Sequence, residues 1–217
     1  MEMKYELIIF DMDGTILDTL EDLQSSLNHA LALSGFAVRS LDEVRSFVGN
    51  GIGKLIERSL PASSLPAHFE KVYGDFMAHY TIHCTDLTRP YAGIPQLIST
   101  LRKKGCQTAV VSNKADAAVG ELCRRYFPGL FDYAIGEREG LARKPEADLV
   151  NFVLKELNCP KEKTVYIGDS EVDIATAQNA GLDAIIVDWG FRDTAFLKKQ
   201  GAKTIASSPE EILALLE

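Results

Sequence analysis

The sequence predicts an α/β fold, a doubly wound parallel sheet interrupted just after its first strand by a helical insert, and three observations predict it. A short buried-strand pattern near the start runs into an acidic turn. The next stretch, from Asp18 to Tyr80, carries apolar residues at helical spacing and no strand pattern. From about Cys84 onward strands and helices alternate, which demands a parallel sheet with right-handed crossovers. At 217 residues, 46% hydrophobic and 25% charged, the chain can bury a core of its own. The expected division is 1–15 with 85–217 for the α/β core and 16–84 for an inserted helical cap.

Each element has its own signal. Leu7-Ile8-Ile9-Phe10 is an apolar run stopped by Asp11-Met12-Asp13-Gly14, a strand entering a turn. Leu20, Leu23, Leu27 and Leu31 follow at helical spacing, with Asp18 as the expected N-cap, Glu21 three residues on and Gly35 as the stop. Ser40 with Glu43 repeats the capping signal, a third helix follows Gly51-Ile52-Gly53, and Leu65, Phe69, Val72, Phe76 and Tyr80 line a fourth with Pro66 in its first turn. The core then reads as helix 95–104, strand 106–111, helix 115–126, strand 133–135, helix 147–156, strand 164–167, helix 172–180 stopped by Gly181, and strand 184–187.

Composition removes several classes of function. Twenty-three basic against 31 acidic residues give a net charge of −8, the wrong sign for a nucleic-acid partner. Cys84, Cys106, Cys123 and Cys159 show neither zinc-ligand nor CxxC spacing and read as buried thiols of a reducing compartment. Before Asp11 the apolar run is too short for a signal peptide or a membrane span, so a cytoplasmic protein without membrane association is expected.

Four strand ends carry chemistry. Asp11-Met12-Asp13-Gly14-Thr15 places two carboxylates at the end of the first strand; as an EF-hand loop it fails, with Ile16 where Gly is needed and Asp22 where Glu is needed. Ser112-Asn113 ends the second core strand with two short donors, which read equally as a helix cap. Arg143-Lys144-Pro145 offers a cation just before a helix. Gly168-Asp169-Ser170-Glu171-Val172-Asp173 ends the fourth core strand with two more carboxylates, and buried unpaired anions at a strand end call for a divalent cation. If the first and fourth strands are neighbours where the winding reverses, all four converge on the crevice in which such sheets bind ligands.

In this order the motifs resemble those of the haloacid dehalogenase superfamily: DxDGT, a strand-end Ser or Thr, a Lys, and GDxxxD. The resemblance spans nearly the whole chain, and it implies a Rossmann-like core with a cap. By that resemblance Asp11 is a nucleophile forming an aspartyl-phosphate and Asp13 the proton donor and acceptor. Ser112, Asn113 and Lys144 hold phosphoryl oxygens. Magnesium takes ligands from Asp11, Asp169 and the main chain of Asp13, with Asp173 in support. Phe47-Val48-Gly49-Asn50-Gly51-Ile52-Gly53 resembles the cap loop of phosphoglycolate phosphatases, as do Thr19–Asn28 and Trp189-Gly190-Phe191. Gly49, Asn50 and Gly51 are therefore the expected selectors of a small carboxylate-bearing phosphate ester, with Lys54 and Arg58 as other anion contacts. The bland alternative for Gly49–Gly53 is a linker between two cap helices.

Rival chemistries fit less well. Cys84 and Arg89 are too close for a cysteine phosphatase motif, Gly49–Lys54 lacks the gap of a Walker loop, and His29, His68, His79 and His83 all fall in or at the edge of the cap. A phosphatase for pyrophosphate, a nucleotide or a sugar phosphate, a sugar-phosphate mutase, and a catalytically silent regulatory protein stay open. The expected partner is a small phosphate ester, and the expected assembly a monomer or homodimer.

Overall fold

The computed structural model describes residues 3–217; Met1 and Glu2, which the expected core segment and the N-terminal reading include, lie outside the described residues. The chain divides into two compact units. One is formed by the described residues up to Leu17 with Pro90–Glu217, the other by Asp18–Arg89, so the junctions fall a few residues later than 15/16 and 84/85. Strand β1 (Leu7–Phe10) is buried along its whole length, which is why it reads as an unbroken apolar run rather than an alternating one. The chain leaves the core through β2 (Leu17–Asp18).

The helical unit holds α1 (Leu20–Leu33), α2 (Leu41–Phe47), α3 (Gly51–Ser59) and α4 (Pro66–His83). Helix α1 packs on α4, burying Leu23, Leu27 and Leu31 from one and Val72, Phe76 and Tyr80 from the other. Its N-cap is Thr19, not Asp18, and no side chain caps it. Asp18 instead lies in β2, 3.4 Å from Arg89. The Ser40–Glu43 capping box forms as expected, Glu43 accepting the Ser40 N–H at 2.8 Å. Buried Asp22 accepts from the N–H groups of Leu87 and Thr88, at 3.0 and 2.8 Å, and so pins the returning chain to α1. The rings of His29, His79 and His83 stack in a row with centroids 4.2 Å apart at each step.

The chain re-enters through β3 (Arg89–Pro90), which pairs with β2. The core continues through α5 (Ile94–Lys103), β4 (Gln107–Ala115), α6 (Asp116–Tyr126), β5 (Tyr133–Glu137), α7 (Asp148–Glu156), β6 (Thr164–Gly168), α8 (Glu171–Ala180), β7 (Asp183–Val187), α9 (Thr194–Lys199), β8 (Ile205–Ala206) and α10 (Pro209–Leu216). Its six strands run in the order β5-β4-β1-β6-β7-β8, and every pair is parallel. Ile8 and Phe10 pack into one apolar layer with residues of α5, α6 and α10, Leu7 and Ile9 into the other with α7 and α8, the period-2 alternation of a strand covered on both faces.

Winding proceeds from β1 through β4 to β5 on one side and through β6 and β7 to β8 on the other. The reversal places the C-terminal ends of β4, β1 and β6 side by side, with Phe10 in register with both Val110 and Ile167. Strand β4 is longer than expected. Its pairing with β5 slips after Val111 and resumes at Ala115, so Ser112, Asn113 and Lys114 ride on the strand end. Cys106, Cys123 and Cys159 are buried free thiols, and burial pushes that of Cys123 up to about 12; Cys84 departs from the expectation, only half-buried as the residue that ends α4. Among the described residues no helix is long and apolar enough to cross a membrane.

Candidate active site

Asp11 leaves β1 with its N–H still bonded to the Ile167 carbonyl at 2.8 Å, which holds the first carboxylate against the end of β6. Its Oδ1 accepts from the Met12 N–H at 2.7 Å and faces Lys144 Nζ at 2.8 Å. The turn then needs Gly14, at φ +84°, because a Cβ there would overlap the Asp169 carboxylate. Thr15 completes the turn by donating its hydroxyl to Asp169 Oδ1 at 2.9 Å.

Behind this pair Lys144 and Asp173 form a buried ion pair at 2.8 Å. Both Asp173 oxygens are occupied: Oδ1 by Lys144 and the Tyr166 hydroxyl, Oδ2 by the N–H groups of Asp169 and Ser170 and by the Ser170 hydroxyl at 2.7 Å. Burial opposes the Asp173 charge, but Lys144 and these donors outweigh it and hold the carboxyl below its usual range. Burial likewise opposes charge on Lys144, and Asp11 and Asp173 outweigh that, holding it well above the usual lysine value. Burial and then the Asp173 charge push Asp11 well above the ordinary carboxylate range, and the same two causes bring Asp169 to about 7.

Asp11, Asp169 and Asp173 have ligand oxygens within 4.8 Å of one another. Three buried carboxylates against one lysine leave excess negative charge, and an oxygen-only donor set of this kind fits a hard divalent cation such as magnesium. Asp173 is engaged by five donors, whereas the carboxylates of Asp11 and Asp169 each meet two, the Met12 N–H and Lys144 for one and the Thr15 hydroxyl and Phe191 N–H for the other.

A profile of haloacid dehalogenase-like hydrolases matches residues 8–187, the stretch that contains all four strand-end motifs. The chain belongs to that family. This hydrolase is 36% identical over 189 residues to the phosphoglycolate phosphatase of Cereibacter sphaeroides, an alignment covering 85% of the chain and 86% of the relative. The phosphoglycolate phosphatase of Aquifex aeolicus is 29% identical over 97% of the chain and 96% of its own length. The crystal structure of a candidate phosphoglycolate phosphatase from Lactobacillus delbrueckii subsp. bulgaricus superposes with a TM-score of 0.95, at 38% identity over 99% of both chains.

The hydrolase brings Asp11, Lys144, Asp169 and Asp173 together, and it also assigns work that the sequence left unassigned. Asn113 does not present its amide to the crevice. Its Nδ2 donates to the Lys144 carbonyl at 3.0 Å and its Oδ1 accepts the Lys144 N–H at 2.9 Å, so it fastens the lysine's main chain to the end of β4. Ser112 is buried, its Oγ accepting the Lys114 N–H at 3.2 Å. Lys114 is the residue that sequence reasoning missed: its Nζ lies 3.0 Å from both Asp13 carboxylate oxygens. Period-2 alternation from Ser112 was the signal that could have found it, since both residues are buried and Asn113 between them is not. Tyr166, Ser170 and the Phe191 N–H, which donates to Asp169 Oδ2 at 2.8 Å, also went unassigned.

Gly49, Asn50 and Gly51 belong to the helical unit. They form the entry to α3, with Gly49 and Gly51 at positive φ. Arg58 donates to the Phe47 carbonyl at 2.6 Å and lies 3.4 Å from Asn50 Oδ1, and Lys54 pairs with Glu57, so the two expected anion contacts serve the unit itself. Asn50 Nδ2 is buried without a hydrogen-bond partner.

Proposed function

We propose that this hydrolase is a magnesium-dependent phosphatase of small phosphate monoesters, with 2-phosphoglycolate as its substrate, acting in the cytoplasm as a monomer or homodimer through an aspartyl-phosphate on Asp11. The observation that carries the reading is the Asp11 carboxylate fixed by Lys144 at 2.8 Å beside the buried pair Asp169 and Asp173. The relatives named phosphoglycolate phosphatase support the choice of substrate.

Asp11 attacks the phosphorus while Lys144 and the Met12 N–H keep its carboxylate oriented. Lys144 and the Ser112 hydroxyl hold phosphoryl oxygens, and Asn113 positions Lys144 by clamping its main chain. Asp13 protonates the leaving alkoxide and later takes a proton from the water that opens the phospho-aspartate. In the state seen, Asp13 is paired with Lys114, so its turn toward the leaving group exchanges that partner. Asp11, Asp169 and the Asp13 carbonyl would hold the magnesium ion, which when bound neutralises charge on the phosphoryl group. Substrate selection is assigned to Gly49, Asn50 and Gly51, where the buried, unpartnered Asn50 amide is a donor that a substrate carboxylate would satisfy.

The test is phosphate release from 2-phosphoglycolate, pyrophosphate, nucleotides and sugar phosphates, with and without magnesium. The expected outcome is the highest kcat/KM for 2-phosphoglycolate and none of it after chelation. Gly51→Phe should lower that kcat/KM far more than the value for acetyl phosphate. A preference for nucleotides or hexose phosphates, or equal losses for the two esters, removes phosphoglycolate from the reading.

A further inference from the structure

Three segments distant in sequence interlock around one carboxylate. Asp169 follows β6, its Oδ1 held by the Thr15 hydroxyl at 2.9 Å and its Oδ2 by the Phe191 N–H at 2.8 Å. The turn that supplies this N–H, Trp189 to Arg192, follows β7 and is tied down at both ends. Trp189 Nε1 donates to the Thr15 carbonyl at 3.1 Å, and the Arg192 guanidinium grips the Glu171 carboxylate through Nε at 2.9 Å and a terminal nitrogen at 3.2 Å. Between these ties Gly190 passes so close that a Cβ would overlap both the Asp169 side chain and the Gly14 carbonyl. Glu171 lies two residues beyond Asp169, at the start of α8. The Arg192–Glu171 pair therefore closes a ring from the carboxylate, through the turn, back to the carboxylate's own segment.

We propose that the Trp189–Arg192 turn, latched by the Arg192–Glu171 pair, is a positioning device that presets the Asp169 carboxylate and thereby sets the affinity of the core for its divalent cation. The inference rests on the reading of Asp169 as a magnesium ligand. Its physical basis is that each Asp169 oxygen has one fixed protein donor, so the direction in which the remaining lone pairs point depends on where those donors sit. Thr15 is fixed by the first turn, whereas the Phe191 N–H is carried by a turn that the Trp189 and Arg192 ties flank. A looser turn lets the carboxylate rotate, and cation binding must then order it. Neither Arg192 nor Glu171 is placed among the groups that touch phosphate or metal, so their effect runs through Asp169.

The experiment measures magnesium binding by titration calorimetry on the full chain, beside the magnesium dependence of kcat. Arg192→Gln and Glu171→Gln should each weaken magnesium binding about tenfold, the scale of removing an outer support of a metal ligand. Turnover at saturating magnesium should be retained. The charge-swapped double variant, Glu171→Arg with Arg192→Glu, should recover most of the lost affinity. Should Arg192→Gln fold poorly, Trp189→Phe removes only the indole donor and should weaken binding in the same direction. Unchanged affinity in all single variants, or a folded swap that binds no better than its parents, overturns the inference. Asp169→Ala separates the two levels: if it abolishes binding while Arg192→Gln does not weaken it, only the latch fails. Magnesium binding unaffected by Asp169→Ala sinks the metal assignment itself.

Discussion

Asp22 in the helical unit and Asp169 in the core are both buried carboxylates, 2% and 1% exposed, and both accept main-chain N–H groups. Asp22 meets the paired N–H groups of Leu87 and Thr88, which occupy both of its oxygens and make it a fastener between the start of α1 and the returning chain. Asp169 has one N–H and one hydroxyl, and two further carboxylates stand within 4.8 Å. Burial of an acid is common to both and decides nothing. What separates a strut from a site is the neighbouring like charge that fixed donors leave uncompensated.

The comparison breaks most visibly at Asp11, the proposed nucleophile. Asp11→Asn keeps the shape and loses the attacking oxygen, so phosphate release should fall by about a thousandfold or more while the fold is retained. Turnover within an order of magnitude of the parent would remove the covalent step. Lys114→Met comes next. It leaves Asp13 without its partner and should lower kcat about tenfold for alkyl phosphates, less for an activated aryl ester that needs no acid. Equal losses for the two esters would mean that Lys114 does not act through Asp13. Asp22→Asn should do the converse, costing about 1–3 kcal/mol in chemical denaturation because an amide cannot accept at both positions, with kcat unchanged.

The smallest effect is a pair of opposite pH slopes. Asp169, brought to about 7 by burial and Asp173, keeps its proton where an unfolded carboxyl near the ordinary value of about 3.9 has lost it. In metal-free protein its contribution to stability is therefore fully present below that unfolded value and lost as pH rises through 7. His79 works the other way. Burial, then the stacked rings of His29 and His83, hold it below the usual histidine value, with Asp86 opposing. Its contribution is present above about pH 6.5 and is lost as pH falls. Amide hydrogen exchange on chelated protein should show β6 opening more readily at high pH and α4 at low pH; parallel trends in the two elements would contradict this account.

The core was legible where one strong local pattern decided the outcome. An unbroken apolar run ending in DxDGT and an alternation of strand and helix leave few alternatives, and the family match bears out the fold they predict. Lys114 and Asn113 were not legible in role, because a strand-end Ser-Asn-Lys looks the same whether its side chains face ligand or neighbouring loop. Alternation from Ser112 marks Lys114 as buried but does not name Asp13 as its partner, and the partner of Asn113 lies 31 positions away in another loop. Asp18 misled for a related reason: a good capping residue was recruited into a strand pair by Arg89, far away in sequence. Beyond Val187 the last strand is two residues long, too short for any period to show.

The reach of these contacts along the chain has a consequence for synthesis. Thr15 meets Asp169 across 154 positions, and Trp189 reaches back to Thr15 across 174. The acidic turn is thus made long before it gains its full set of partners, because the support from Phe191 does not exist until that residue has been added. A chain that stops short of it can carry every residue of the helical unit and all four strand-end motifs, and still lack a complete site.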